Sequence, residues 1–212
     1  MTRDDALARL RLLVGKDLRP LADEFRVTVF KGGRKNKGWA GHVIERYLGL
    51  PANSRQAPDF GDWELKVVSL KRTRGLLAVK ETMAITMSQP ANVLETPFEH
   101  SHLLDKLQRM VVGAREWVDE RETRSPFVSA SGFDLSDGEL FRQVQADYDA
   151  IRAALKQRGV RGLTGSLGVL VQARTKGAGN GSDSRAFYAR EKFVARIIGL
   201  DRLNNPPPPA KP

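Results

Sequence analysis

"PDFGDWELKV", residues 58 to 67, sets Asp59, Asp62, Glu64 and Lys66 within eight positions and continues directly into the apolar run that ends at Leu70. The run reads as a strand. Side chains two apart on a strand share a face, so Glu64 and Lys66 must lie side by side. Asp59 precedes the strand, in the turn-rich "PANSRQAPDFGD", and can fold back toward them. Two carboxylates and an ammonium around one point offer oxygen ligands to a divalent ion and a positive charge to a phosphate. The structural alternative is an exposed strand edge, where lysines and acids discourage pairing with other chains. With 28% of the chain charged, a D-x₄-E-x-K spacing taken alone favours that alternative. The apolar continuation shifts the balance, because it implies one buried face, and charges are seldom submerged without a task or a partner. Asp62 shares the parity of Glu64 and Lys66, so spacing does not separate it from Asp59 as a ligand; an exposed Asp62 is the more economical assignment.

Upstream, leucines at 7, 10, 13, 18 and 21 predict one or two short helices around Gly15. "NKGWAGHVIERYLGL" predicts a helix of about three turns with Val43, Ile44, Tyr47 and Leu48 on its apolar stripe, Glu45 on the other face and Gly49 as the C-terminal stop. Downstream, "LLAVKETMAITM" alternates and, with the preceding strand, predicts an antiparallel hairpin or meander. "SHLLDKLQRMVVG" predicts a short helix running into a strand, with Ser101 as its cap. Ser136 and Glu139 open a long helix that carries Leu140, Val144, Ile151 and Leu155 inward and stops at Gly159. Residues 166–173 read as a strand, "RTKGAGNGSDS" as a glycine-rich basic loop, and "RAFYAREKFVARIIGL" as a closing helix in which Tyr188 could be a core aromatic. The expected fold is α/β, a mixed central sheet flanked by helices. A single domain is expected over 1–203, followed by a proline-rich, disordered tail over 204–212.

Composition narrows the chemistry. There are no cysteines and three histidines, which excludes disulfides and thiolate metal sites and leaves carboxylate oxygens, suited to Mg²⁺. The net charge of +10 points to a polyanion such as nucleic acid rather than to a membrane, since no lysine-rich amphipathic helix stands out. Neither a bilayer-length apolar run nor a secretory signal is present, so a cytoplasmic protein is expected.

The order of these pieces resembles the MutH mismatch-repair endonucleases and the related GATC-cutting restriction endonucleases, a branch of the PD-(D/E)xK nucleases, over about residues 5 to 200. The resemblance implies a restriction-endonuclease-like core. It maps Glu45 onto the acid of a glycine-flanked helix, Asp59 and Glu64 onto the metal-binding acids, Lys66 onto the catalytic lysine, and Lys106 of "HSHLLDKLQR" onto a second essential lysine. It also prefers Asp59 to Asp62, although the interval from Asp59 to Glu64 is shorter here than in the mismatch-repair enzyme. The implied metal ligands are Asp59, Glu64, the Leu65 carbonyl and Glu45, for Mg²⁺ with Mn²⁺ tolerated. "VQARTKGAGN" and "RAFYARE" are similar to base-reading stretches, which implies DNA contacts by Arg174, Lys176, Arg185 and Tyr188; Lys37 is a candidate phosphate anchor. Double-stranded DNA, a MutL-type ATPase activator and a monomeric state are the implied associations.

Overall fold

The computed structural model describes residues 1–49, 61–136, 138–176 and 184–206. Asp59 lies outside these residues.

Two short helices open the chain, α1 (Arg3–Arg11) and α2 (Leu18–Glu24). Thr2 caps the first by accepting from the Asp5 N–H, and Asp17 caps the second by accepting from that of Arg19. A small ribbon follows, β1 (Phe30–Lys31) and β2 (Arg34–Lys35), and then α3 (Trp39–Tyr47). The stripe of α3 is buried as its spacing requires: Trp39, Ala40, Val43 and Ile44 face inward, and Gly49, at φ 72°, follows its last turn.

Strand β3 (Glu64–Thr73) turns through Arg74 and Gly75, both at positive φ, into β4 (Leu76–Val79). This is the expected antiparallel hairpin. The alternating stretch does not continue as one strand, however. It breaks at residues 80–82, where Glu81 is exposed, and β5 (Met83–Ser88) leaves for a second sheet. Helix α4 (Pro90–Glu95) and a 3₁₀ turn at Phe98–His100 lead to α5 (His102–Gln108), which runs without a loop into β6 (Arg109–Glu116). Strand β7 (Phe127–Asp134) and the long helix α6 (Gly138–Arg158) follow. Then come β8 (Val171–Thr175), β9 (Arg185–Ala189), α7 (Glu191–Ile198) and α8 (Leu200–Asn204).

The four-stranded sheet runs β4-β3-β6-β7, with β3 and β6 parallel and the other pairs antiparallel; β5-β9-β8 form a three-stranded antiparallel sheet. The mixed α/β architecture agrees with expectation. Strand parity sends Leu65 and Val111 into one apolar cluster with α1, α2 and α3. The opposite face sends Val68, Leu70, Met110, Val112 and Ala114 into a larger cluster with α5, α6, α7 and the second sheet. Arg3 ties α1 to the sheet by donating to the Met110 and Phe133 carbonyls and to Asp134.

Four expectations near the C-terminus need correction. "RAFYA" is strand rather than helix: Arg185–Ala189 completes the second sheet, and only Glu191 onward has the amphipathic period of a helix. Arg174 belongs to β8, not to a glycine-rich loop, and Lys176 extends the ladder by donating its N–H to the Ser184 carbonyl. The strand expected over 166–173 begins only at Val171. Asn204, where the tail was expected to start, closes α8 and exchanges two hydrogen bonds with the Leu77 backbone, at 2.9 and 3.0 Å.

Candidate active site

Glu64 is the first residue of β3 and is completely buried. Its parity places it beside Lys66 on the face that carries the larger core, and the two side chains pair directly. Lys106 reaches the same carboxylate from α5, Nζ to Oε2 at 2.9 Å. That lysine is 5% exposed on a helix whose Leu103, Leu104 and Leu107 are in the core, so it spends its charge inside the protein. Ser101 fixes the start of α5 as expected, accepting from the Leu104 N–H at 3.2 Å. A buried carboxylate with no cation would be strongly disfavoured; two ammoniums compensate it, and Lys66 keeps 22% of its side chain in solvent.

The structure therefore unites Glu64, Lys66 and Lys106. Glu45 is half-buried in the last turn of α3, a helix packed on the opposite face of the sheet. Leu65 turns its side chain into the cluster shared with that helix. Asp62 is exposed, as the economical assignment held, and pairs with Arg109, the first residue of β6. Among the described residues no group of three His, Asp or Glu side chains converges. Glu64 presents carboxylate oxygens, the donor type a hard cation takes, and both accept here from lysine ammoniums.

A second cluster lies on the β5-β9-β8 sheet. The Arg174 guanidinium sits 5.8 Å from the Tyr188 ring centroid and donates to Thr82 Oγ1 at 3.4 Å. In register, Gln172 faces Tyr188, Arg174 faces Ala186, and Thr175 faces Arg185. Tyr188 is thus a half-buried strand residue rather than a helix-core aromatic. Lys176 is exposed at the end of the ladder, and Lys37 is exposed ahead of α3. Helix α5, which bears Lys106, packs against β5 and so links this sheet to the buried carboxylate.

Sequence reasoning missed the clamp that holds β8. Asp147, 2% exposed, accepts from the N–H groups of Val169, Leu170 and Val171 at 2.6 to 2.8 Å. Arg190 donates to the carbonyls of Gly165, Leu167 and Gly168 from the other side. Gly168, at φ 79°, allows this close approach: a Cβ there would stand 1.8 Å from the Val171 carbonyl oxygen. The signal was present, since an acid at 147 falls on the buried stripe between Val144 and Ile151.

A third charged group is sealed in the smaller core. The Arg115 guanidinium forks onto Glu122 at 2.6 and 3.0 Å, donates to Ser125 Oγ at 2.9 Å and lies 5.1 Å from the Trp39 ring centroid, while Lys35 reaches the same carboxylate. Burial alone would raise the Glu122 carboxyl, but the hydrogen bonds from Arg115 and Lys35 outweigh it and hold it below its ordinary value.

Comparison with known proteins agrees with the motif order. The family model described as DNA mismatch repair enzyme MutH matches residues 48–122, a stretch that contains Glu64, Lys66 and Lys106. A DNA mismatch repair protein MutH of Vibrio cholerae serotype O1 (strain M66-2) is 30% identical over 218 residues, covering 93% of this chain and 95% of that protein. The chain belongs to the MutH family. A MutH of Haemophilus influenzae (strain PittEE) is 24% identical over 213 residues, covering 93% of this chain and 94% of its own. A solved complex of the restriction endonuclease MvaI with its cognate DNA substrate aligns over 93% of this chain and 97% of that one, at 14% identity and a TM-score of 0.38. Membership in the MutH family bears out the resemblance drawn from the motifs. No helix among the described residues is long and apolar enough to cross a membrane.

Proposed function

We propose that this MutH-family protein is a Mg²⁺-dependent endonuclease with a restriction-endonuclease-like core, which nicks double-stranded DNA at GATC-type sites during mismatch repair. The observation that carries the proposal is the buried Glu64 carboxylate held between Lys66 and Lys106. A purely DNA-binding surface has no use for an acid at its phosphate contacts, whereas hydrolysis needs one beside cations.

Asp59, Glu64, the Leu65 carbonyl and Glu45 are the groups that would hold Mg²⁺, with Mn²⁺ tolerated. When bound, the ion supplies charge neutralisation at the scissile phosphate and a more acidic water. Lys66, the more accessible of the two lysines, aligns the attacking water or takes its proton. Lys106 is fixed by its helix and offsets the negative charge that develops on the phosphate. Arg174, braced against Tyr188 and Thr82, presents a planar fork suited to guanine, with Lys176 and Arg185 at the same end of the ladder taking bases or phosphates. Lys37 anchors a phosphate ahead of α3. The protein acts as a monomer in the cytoplasm, and a MutL-type ATPase activates it.

The test is incubation of the protein and a Lys66→Ala control with Mg²⁺ and plasmids whose GATC sites are unmethylated, hemimethylated or fully methylated, with and without a MutL-type protein. Nicking of unmethylated strands by the wild type alone is the expected result. Cutting that ignores GATC removes the specificity. Unaided double-strand cutting converts the reading to a restriction enzyme, and no cutting under any condition leaves a binding module.

A further inference from the structure

Residues 25–39 carry Arg26, Lys31, Arg34, Lys35 and Lys37 and no acid. Within them β1 and β2 form a minimal ribbon, Phe30 opposite Lys35 and Lys31 opposite Arg34. Gly32 and Gly33, at φ 55° and 73°, provide the two left-handed residues that a two-residue hairpin turn demands. The ribbon has no buried face of its own. Phe30 is 41% exposed, and Lys31 and Arg34 are exposed as well. Two strands with nothing to bury are not stable by themselves in water.

The ribbon is instead fixed at its root. Lys35 inserts into the sealed Glu122 cluster, Asn36 donates its side-chain amide to the Thr28 carbonyl at 2.9 Å and its backbone N–H to that of Val29 at 2.8 Å, and Val27 and Val29 join the smaller core. At the tip, two cations stand directly across the ladder from each other. Like charges in that position destabilise a pair, and a polyanion laid over them reverses the sign of the effect. A rigid root, an unneutralised like-charge pair and an exposed aromatic have no packing role here, yet together they suit a phosphate backbone.

We infer that this ribbon is a DNA-gripping arm separate from the reaction centre, with Lys31 and Arg34 on duplex phosphates and Phe30 against the sugar edge. The inference rests on the nuclease reading only in needing DNA as the ligand. Helix α3 starts at the root of the ribbon and carries Glu45 six residues further on, which puts about 9 Å of helix between them at about 1.5 Å per residue.

The experiment is fluorescence anisotropy of a GATC duplex with the wild type, the double variant Lys31→Ser/Arg34→Ser and Phe30→Ser, in Ca²⁺ to prevent cutting, across about 50 to 200 mM salt. The double variant is expected to bind about ten-fold or more weakly at the low-salt end. Its plot of log affinity against log salt should be shallower by about 1.8, the contribution of two phosphates. Phe30→Ser should lose affinity with the slope kept. Neither variant should unfold below the wild type, the double variant being relieved of its like-charge pair, and at saturating duplex with Mg²⁺ all three should cleave at the same rate. Unchanged affinity and slope in the double variant overturn the arm while leaving the nuclease reading intact; a wild type that binds no DNA overturns both.

Discussion

Two buried glutamates in this protein each meet two cations among the described residues, in different surroundings. Glu122 is gripped by a planar guanidinium fork, backed by Ser125 and by the Trp39 ring, with Lys35 as its second cation. Glu64 is held by two lysines, each a point charge on a flexible stem, and one of them reaches solvent. A fork fixed on both oxygens is a structural bolt. Of the two ammoniums, one from β3 and one from α5, the partly solvated Lys66 can exchange toward a phosphate or a water without dismantling the core. Burial of a charge thus identifies neither function nor mere scaffolding; the geometry and accessibility of its partners do.

The comparison can be broken by mutation, and the largest effect belongs to Lys66. Replacing it with Ala should lower single-turnover cleavage by about 10³-fold or more while DNA affinity changes less than about three-fold, measured by gel assay and anisotropy. Equal loss of both would make Lys66 a binding residue. Glu122→Gln comes next. Leaving Arg115 and Lys35 facing a neutral group should cost about 3 to 4 kcal/mol in urea unfolding at constant m, with little change in the cleavage rate of the folded fraction. Its pH dependence has a definite sign. Because the Glu122 carboxyl is held below its ordinary value in the fold, its contribution is complete above that value and is lost as pH falls through the folded one. The stability gap between wild type and variant should therefore narrow on the acid side only.

Asp147→Asn sharpens the contrast from a third direction. An amide nitrogen turned toward backbone N–H groups cannot accept from them, so the variant should lose about 1 to 3 kcal/mol. If the clamp positions Arg174, discrimination between GATC and a one-base variant site should fall more than the maximal cleavage rate does. The smallest effect is expected at Asp62, whose exposed pair with Arg109 should be worth less than about 1 kcal/mol. Asp62→Asn should leave Mg²⁺-dependent cleavage near wild type. A large loss would move the ligand role from Asp59 to Asp62.

What the sequence disclosed followed from how local each signal was. Parity alone put Glu64 beside Lys66, and the apolar stripe alone defined α3, because both depend on the period of one element. Lys106 needed the resemblance, since its contact with Glu64 spans 42 positions. The break between β4 and β5 was hidden because residues 76–87 keep one alternation across two sheets. "RAFYA" was misread because it abuts a strongly amphipathic helix, and a short strand beside such a helix borrows its period. Arg115 shared parity with Val111 and Gly113 in an apolar strand, a sign of a buried cation, but its partner Glu122 sits beyond the strand's end with φ at 49°, which periodicity cannot foresee.

The most direct test of the central claim is a single-turnover cleavage series on one GATC duplex in Mg²⁺, comparing wild type, Lys66→Ala and Glu122→Gln after correction for the folded fraction. The account predicts loss of cleavage for Lys66→Ala and a near wild-type rate for Glu122→Gln. Cleavage by Lys66→Ala at the wild-type rate, or equal loss in both variants, would contradict it.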